Sequence, residues 1–70
     1  MVLDEKKKAI IQAIAACNLN VSKAAKKLNY HRNSVVYHVE QIEKKTGLDP
    51  LRFYDMIELL KENKLYVKRK

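Results

Sequence analysis

The sequence is poor in the residues that cross-link, bend or break a chain. Cysteine, glycine and proline occur once each, as Cys17, Gly47 and Pro50. A single cysteine excludes an internal disulfide and a cysteine-based metal cluster. It suits a reducing compartment, and Cys17 itself reads as a small buried hydrophobe near a helix end. No apolar run approaches the roughly 20 residues that a membrane-spanning helix needs. The start turns acidic at Asp4-Glu5 and then runs into Lys6-Lys7-Lys8, unlike a signal peptide. No alternating run bounded by hairpin residues speaks for strands, and there is no repeat, low-complexity segment or linker. With 70 residues the chain is expected to form a single domain over 1–70. Such a domain leaves no room for a deep enzyme pocket beside its core. No nucleophile–base pairing is legible, so no catalytic role is expected.

What is present is positive charge and helical periodicity. The net charge is +7. Residues 1–20 contribute +1, residues 21–47 contribute +4 and residues 48–70 contribute +2. The excess is concentrated in the middle third, which favours a polyanionic partner.

Four helices are expected, an all-α fold. The first spans about 4–17, with Asp4 and Glu5 at its positive end. Ile10, Ile14 and Cys17 lie on one face, and Ile11 widens it. Asn18 suits the left-handed position that ends a helix. The second spans 21–28, capped by Asn20. Val21, Ala24, Ala25 and Leu28 form its inward stripe, and the two alanines allow a close helix crossing. Asn29 tolerates the positive φ of the following turn, and Tyr30 is expected to plug that turn into the core. The third spans about 32–46, with Val35, Val39, Ile42 and Thr46 inward and His38 about 60° off that stripe. Asn33, Tyr37, Glu40 and Lys44 face away, and Gly47 ends the helix. Asp49-Pro50 reads as the N-cap and first residue of the fourth helix. Leu48 and Phe53 would be its hydrophobic staple, and Phe53, Ile57 and Leu60 its core face, with Met56 beside them. The tail 65–70 either extends that helix or frays.

Helix, tight break and a second helix opening on polar side chains, over about 20–47, is the layout that enters a DNA major groove. Arg32 and Asn33 stand in the first turn of the recognition helix. Arginine can bind guanine and asparagine adenine in a bidentate manner; a phosphate contact for Arg32 and a solvated helix start for Asn33 are the plainer alternatives. Val36 fits a thymine methyl or the core's edge. The Tyr37 hydroxyl can reach a phosphate, or the ring can cover an edge of the core. Ser22 and Lys23, at the start of the second helix, suit a phosphate. So do His31, Ser34 and Lys44, while Lys26 and Lys27 suit a solvated face. His31 is the expected cap of the third helix. His31 and His38 are seven apart, but no third ligand at matched spacing suggests a metal, and no cofactor is implied.

The residues Asn20, Ala24-Ala25, Leu28, His31-Arg32-Asn33, Tyr37, Val39, Ile42-Glu43 and Thr46-Gly47-Leu48 resemble the C-terminal helix-turn-helix of PucR-type regulators, the purine catabolism and sugar diacid regulator family. The likeness covers roughly 6–62 and extends more distantly to Fis-type DNA-binding domains. It implies a bacterial, cytoplasmic, nucleoid-associated transcription regulator that binds double-stranded DNA through residues 32–46. Family members usually carry arginine where this chain has Val36 and His38, so two cations of the recognition helix are missing. They also carry a large sensory region ahead of this domain. The chain is thus expected to be a stand-alone domain protein or a C-terminal fragment with its own start, with no small-molecule effector legible. Useful specificity would need a homodimer on half-sites roughly 34–36 Å apart, paired through the first or the fourth helix. The rival reading is a protein-interaction module that has lost DNA binding, meeting its partner through Val36 and Tyr37. RNA is a weaker alternative, because no aromatic stacking platform is visible.

Overall fold

The structure, a computed structural model, describes residues 3–65. They form four helices and no strand: α1 (Glu5–Ala16), α2 (Val21–Leu28), α3 (Arg32–Thr46) and α4 (Phe53–Glu62). α1 is the centre of the assembly and packs against each of the other three. Its Ile10, Ile11 and Ile14 are fully buried, together with Ala24 of α2, Val35 and Ile42 of α3 and Leu59 of α4. No helix is long and apolar enough to cross a membrane among the described residues.

Local chemistry explains most boundaries. Asp4 caps α1, accepting the Lys7 N–H at 2.8 Å. That bond holds the Asp4 carboxyl below the usual carboxylate range. Asn20 caps α2 in the same way, accepting the Lys23 N–H at 3.0 Å. Asn29 closes α2 in the left-handed region at φ 58°, and the Tyr30 N–H reaches back to the Ala25 carbonyl at 2.8 Å. Gly47 closes α3 at φ 76°. Nothing lies within 4 Å of where its Cβ would be, so the dihedral angle and not space calls for glycine. Thr46 is half-buried and donates its hydroxyl to the Ile42 carbonyl at 2.7 Å. After α1 two successive residues are left-handed, Asn18 at φ 56° and Leu19 at φ 63°. Leu19 is a strained choice there, and its side chain packs against the core.

Three expectations fail, each for a tertiary reason. Asp49-Pro50 does not open α4. Its Asp49 side chain accepts the Leu51 N–H at 2.9 Å, its carbonyl accepts the Arg52 N–H at 3.0 Å, and Pro50 is fully buried in this turn. The Asp55 carboxylate holds the turn from below, accepting the Asp49 N–H at 3.0 Å. The helix therefore starts at Phe53 with Arg52 in the cap position. Second, α4 is rotated from the expected face. Met56 and Leu59 are buried, while Phe53 is 62% and Ile57 39% exposed and Leu60 is half-buried. Phe53 thus forms no staple with Leu48. Third, Tyr30 is no core plug: it is 38% exposed, with the Lys6 ammonium 5.4 Å above its ring. α4 does not continue into the tail as far as the described residues go. Lys64 turns left-handed at φ 55° and the Leu65 N–H bonds back to Leu60 at 2.9 Å; residues 66–70 lie outside them.

A buried side chain joins the two ends of the described chain. Asn63 is 6% exposed. Its Oδ1 accepts the Leu3 N–H at 2.8 Å and its Nδ2 donates to the Leu59 carbonyl at 2.9 Å. Asn63→Ala leaves the buried Leu3 N–H without its partner, while the Leu59 carbonyl keeps the backbone N–H of residue 63; the change is expected to lower stability by about 1–3 kcal/mol, read from urea unfolding. Ala25, 3% exposed on α2, leaves no space for a larger side chain. Ala25→Leu is expected to cost about 1–3 kcal/mol, and an unchanged melting temperature would refute this view of the α2 packing.

Candidate nucleic-acid interface

α2 and α3 are joined by residues 29–31, which makes the pair a helix-turn-helix. The outward surface of α3 follows from its buried stripe of Val35, Val39 and Ile42. By the helical period, Asn33, Tyr37, Glu40 and Lys44 share the face opposite that stripe, Val36 stands at its border, and Arg32, about 60° from Val35, flanks the buried stripe at the open first turn. Arg32, Asn33, Ser34, Tyr37, Glu40 and Lys44 are exposed, and Val36 is half-buried. The expected base-reading residues are thus gathered on two successive turns, with Val36 the least accessible of them. Tyr37 is 57% exposed and rests edge-on against His38, ring centroids 5.4 Å apart.

The amino end of α3 differs from those of α1 and α2. His31 occupies the cap position but its side chain makes no capping bond, which corrects the expectation that the imidazole caps the helix. No acidic residue stands in the first turn; Arg32 and Asn33 stand there instead. The positive end of the helix dipole is therefore left without a protein anion, next to a guanidinium. Ser22 and Lys23 are exposed on the first turn of α2, behind the Asn20 cap. Lys26 and Lys27 are exposed on its last turn.

One cation beside the turn escaped the reading of the sequence. Lys6 belongs to α1, yet it lies over the Tyr30 ring beside the turn. The signal for it was a run without acids: residues 6–39 hold seven lysines or arginines and no aspartate or glutamate. Glu40, expected on the outward face, is exposed there one turn beyond Tyr37 and is the first acid after that run.

His38 marks where α3 meets the amino end of α1. Its side chain is half-buried, and its Nδ1 is buried with no hydrogen-bond partner. Burial, then the nearby Lys7 and Lys6 ammonium groups, hold its pKa below the usual histidine value against the opposing pull of Asp4. The folded chain thus keeps His38 neutral where the unfolded chain, with a pKa of about 6.5, takes up a proton. Between the two values the unfolded state binds more protons, so stability is full above about pH 6.5 and falls as pH drops through the folded value. Urea midpoints are expected to decrease from about pH 8 to about pH 5, and His38→Gln is expected to flatten that slope. An equal slope in the variant would remove His38 as its source.

Comparison with known proteins agrees with this geometry. The sequence profile of the PucR C-terminal helix-turn-helix domain matches residues 9–60. That span begins in α1, contains all of α2 and α3, and ends within α4. No curated protein and no solved structure matches the chain.

Proposed function

The chain belongs to the PucR C-terminal helix-turn-helix family, and from that membership we propose that it binds double-stranded DNA sequence-specifically, as part of bacterial transcription regulation. The observation that carries the proposal is the open amino end of α3. It is uncapped, free of carboxylates, and presents Arg32 and Asn33 to solvent. α1 and α2 carry a capping acceptor, and α4, whose cap residue Arg52 makes no side-chain bond, carries Asp55 in its first turn; α3 has neither.

In this reading α3 lies in the major groove and its first turn meets base edges. Arg32 takes a guanine and Asn33 an adenine in bidentate fashion; Val36 and Tyr37 follow one turn later. Val36 offers its accessible edge to a thymine methyl, and Glu40 can accept from a cytosine amino group. Ser22 and Lys23, with the free N–H groups of α2, hold one phosphate run. His31, Ser34 and Lys44 hold the other, and Lys6 joins from α1. Phosphate contacts supply affinity and register; the α3 residues supply preference.

Two measurements test this. Titration against random-sequence duplex is expected to show affinity that falls steeply as salt rises; affinity indifferent to salt would sink the proposal. Arg32→Ala is expected to relax discrimination at one base pair by about 1–3 kcal/mol, roughly five- to 150-fold, with an unchanged circular dichroism spectrum. Binding that keeps its preference in this variant would show that α3 is not the reading helix.

A further inference from the structure

Lys6, Lys7 and Lys8 stand together at the start of α1, yet they find different partners. Lys7 pairs with Asp4 at 3.6 Å and Lys8 with Glu5 at 3.4 Å, each with the acid three residues back. Lys6 has no acid at that spacing: the residues three and four places away are Val2, Leu3, Ala9 and Ile10. Its ammonium lies over the Tyr30 ring, 5.4 Å from the centroid. Both sides of this contact rest on fixed backbone. Lys6 belongs to a helix capped by Asp4. Tyr30 follows the left-handed Asn29, and its N–H is bonded to the Ala25 carbonyl at 2.8 Å. Both side chains are exposed.

The same ammonium stands close enough to His38 to oppose its protonation. It therefore lies along the first two turns of α3. By the helical period His31, Ser34 and His38 share one flank of that helix, and His31 and Ser34 are exposed there. We propose that Tyr30 is a positioning residue for DNA: its ring holds the Lys6 ammonium where a backbone phosphate passes the His31 and Ser34 flank of α3. The proposal rests on the DNA-binding reading above and adds the part played by the ring. A carboxylate would fix the lysine equally well but would cancel its charge toward a phosphate. The ring is neutral, so it orients the cation and leaves the full charge in place. An ammonium has three donors; the ring covers one side of it and the others stay open to phosphate oxygens. A lysine already held in place also loses less rotamer freedom when the phosphate arrives.

Affinity for a random-sequence duplex, followed over a range of salt concentrations, is the test. Lys6→Gln is expected to reduce the slope of log affinity against log salt by about 0.9. Tyr30→Leu is expected to weaken binding about two- to five-fold at one salt concentration. Tyr30→Phe keeps the ring and is expected to bind like the unmodified chain. In the Lys6→Gln background, Tyr30→Leu is expected to change affinity no further, because the group that the ring acts through is gone. Circular dichroism checks that each variant is folded, and Tyr30→Gln is a second ringless variant for which the same outcomes hold. A merely structural Tyr30 would lower affinity to the same extent with or without Lys6, and that result would overturn the proposal. So would Tyr30→Phe binding as weakly as Tyr30→Leu, which would assign the effect to the hydroxyl. An unchanged salt slope in Lys6→Gln would overturn it as well; Lys6 is exposed, so this variant leaves the core intact. Any of these failures, beside salt-dependent binding by the unmodified chain, would leave the DNA-binding proposal standing. Binding by the unmodified chain that ignores salt would remove both.

Discussion

Every other helix leans on α1. Its three buried isoleucines, Ile10, Ile11 and Ile14, cover more than one side of a twelve-residue helix. A helix apolar over so wide an arc cannot be satisfied by one neighbour. α2 and α3 take one part of that arc and α4 takes another, without touching each other across it. In a chain of this size the loss of one such contact removes a large share of the total stability. The arrangement also fixes how the functional pair is presented. α2 crosses closely because Ala24 and Ala25 are small, and α3 is then held by Val35, Val39 and Ile42, so its opposite face is turned to solvent.

Stability and function are divided among the helix ends. Those of α1 and α2 are closed by the chain's own side chains, Asp4 and Asn20. That of α3 is held by backbone bonds alone, from Ser34 and Val35 to the His31 carbonyl. Leaving such an end open forgoes about 1 kcal/mol that a capping side chain would add. α4 also lacks a capping side chain but has Asp55 in its first turn, so among the described helices α3 alone has neither a capping side chain nor an acid at its amino end.

What could be read from the sequence was what local chemistry decides. Asn20, Asn29 and Gly47 each specify their position through their own side chain or its absence, so the bounds of α2 and α3 followed directly. The face of α4 could not be read. Phe53, Tyr54, Met56, Ile57, Leu59 and Leu60 spread apolar side chains over more than half of that helix, and periodicity alone does not choose the stripe that is buried. The choice falls to tertiary partners: Asn63 must reach Leu3, and Asp55 must reach the Asp49 N–H. The same limit applies to Asp49-Pro50, where a side-chain turn and a buried proline displace the helix start by several residues. Arg32, Asn33 and Tyr37 could be grouped as candidates because they share one helix. Lys6 was not, because only folding brings α1 to the turn.

The Asn63 amide makes the described chain a ring closed by one side chain, since the Leu3 N–H and Asn63 are neighbours across nearly its whole length. The two ends of the described chain therefore lie side by side. Two consequences follow for how such a unit can be handled. A short peptide joining the ends, with a new opening cut in a loop elsewhere, should preserve the fold. And a pull applied between the ends would meet this amide first, ahead of the isoleucine core, so that the molecule would yield mechanically at its seam.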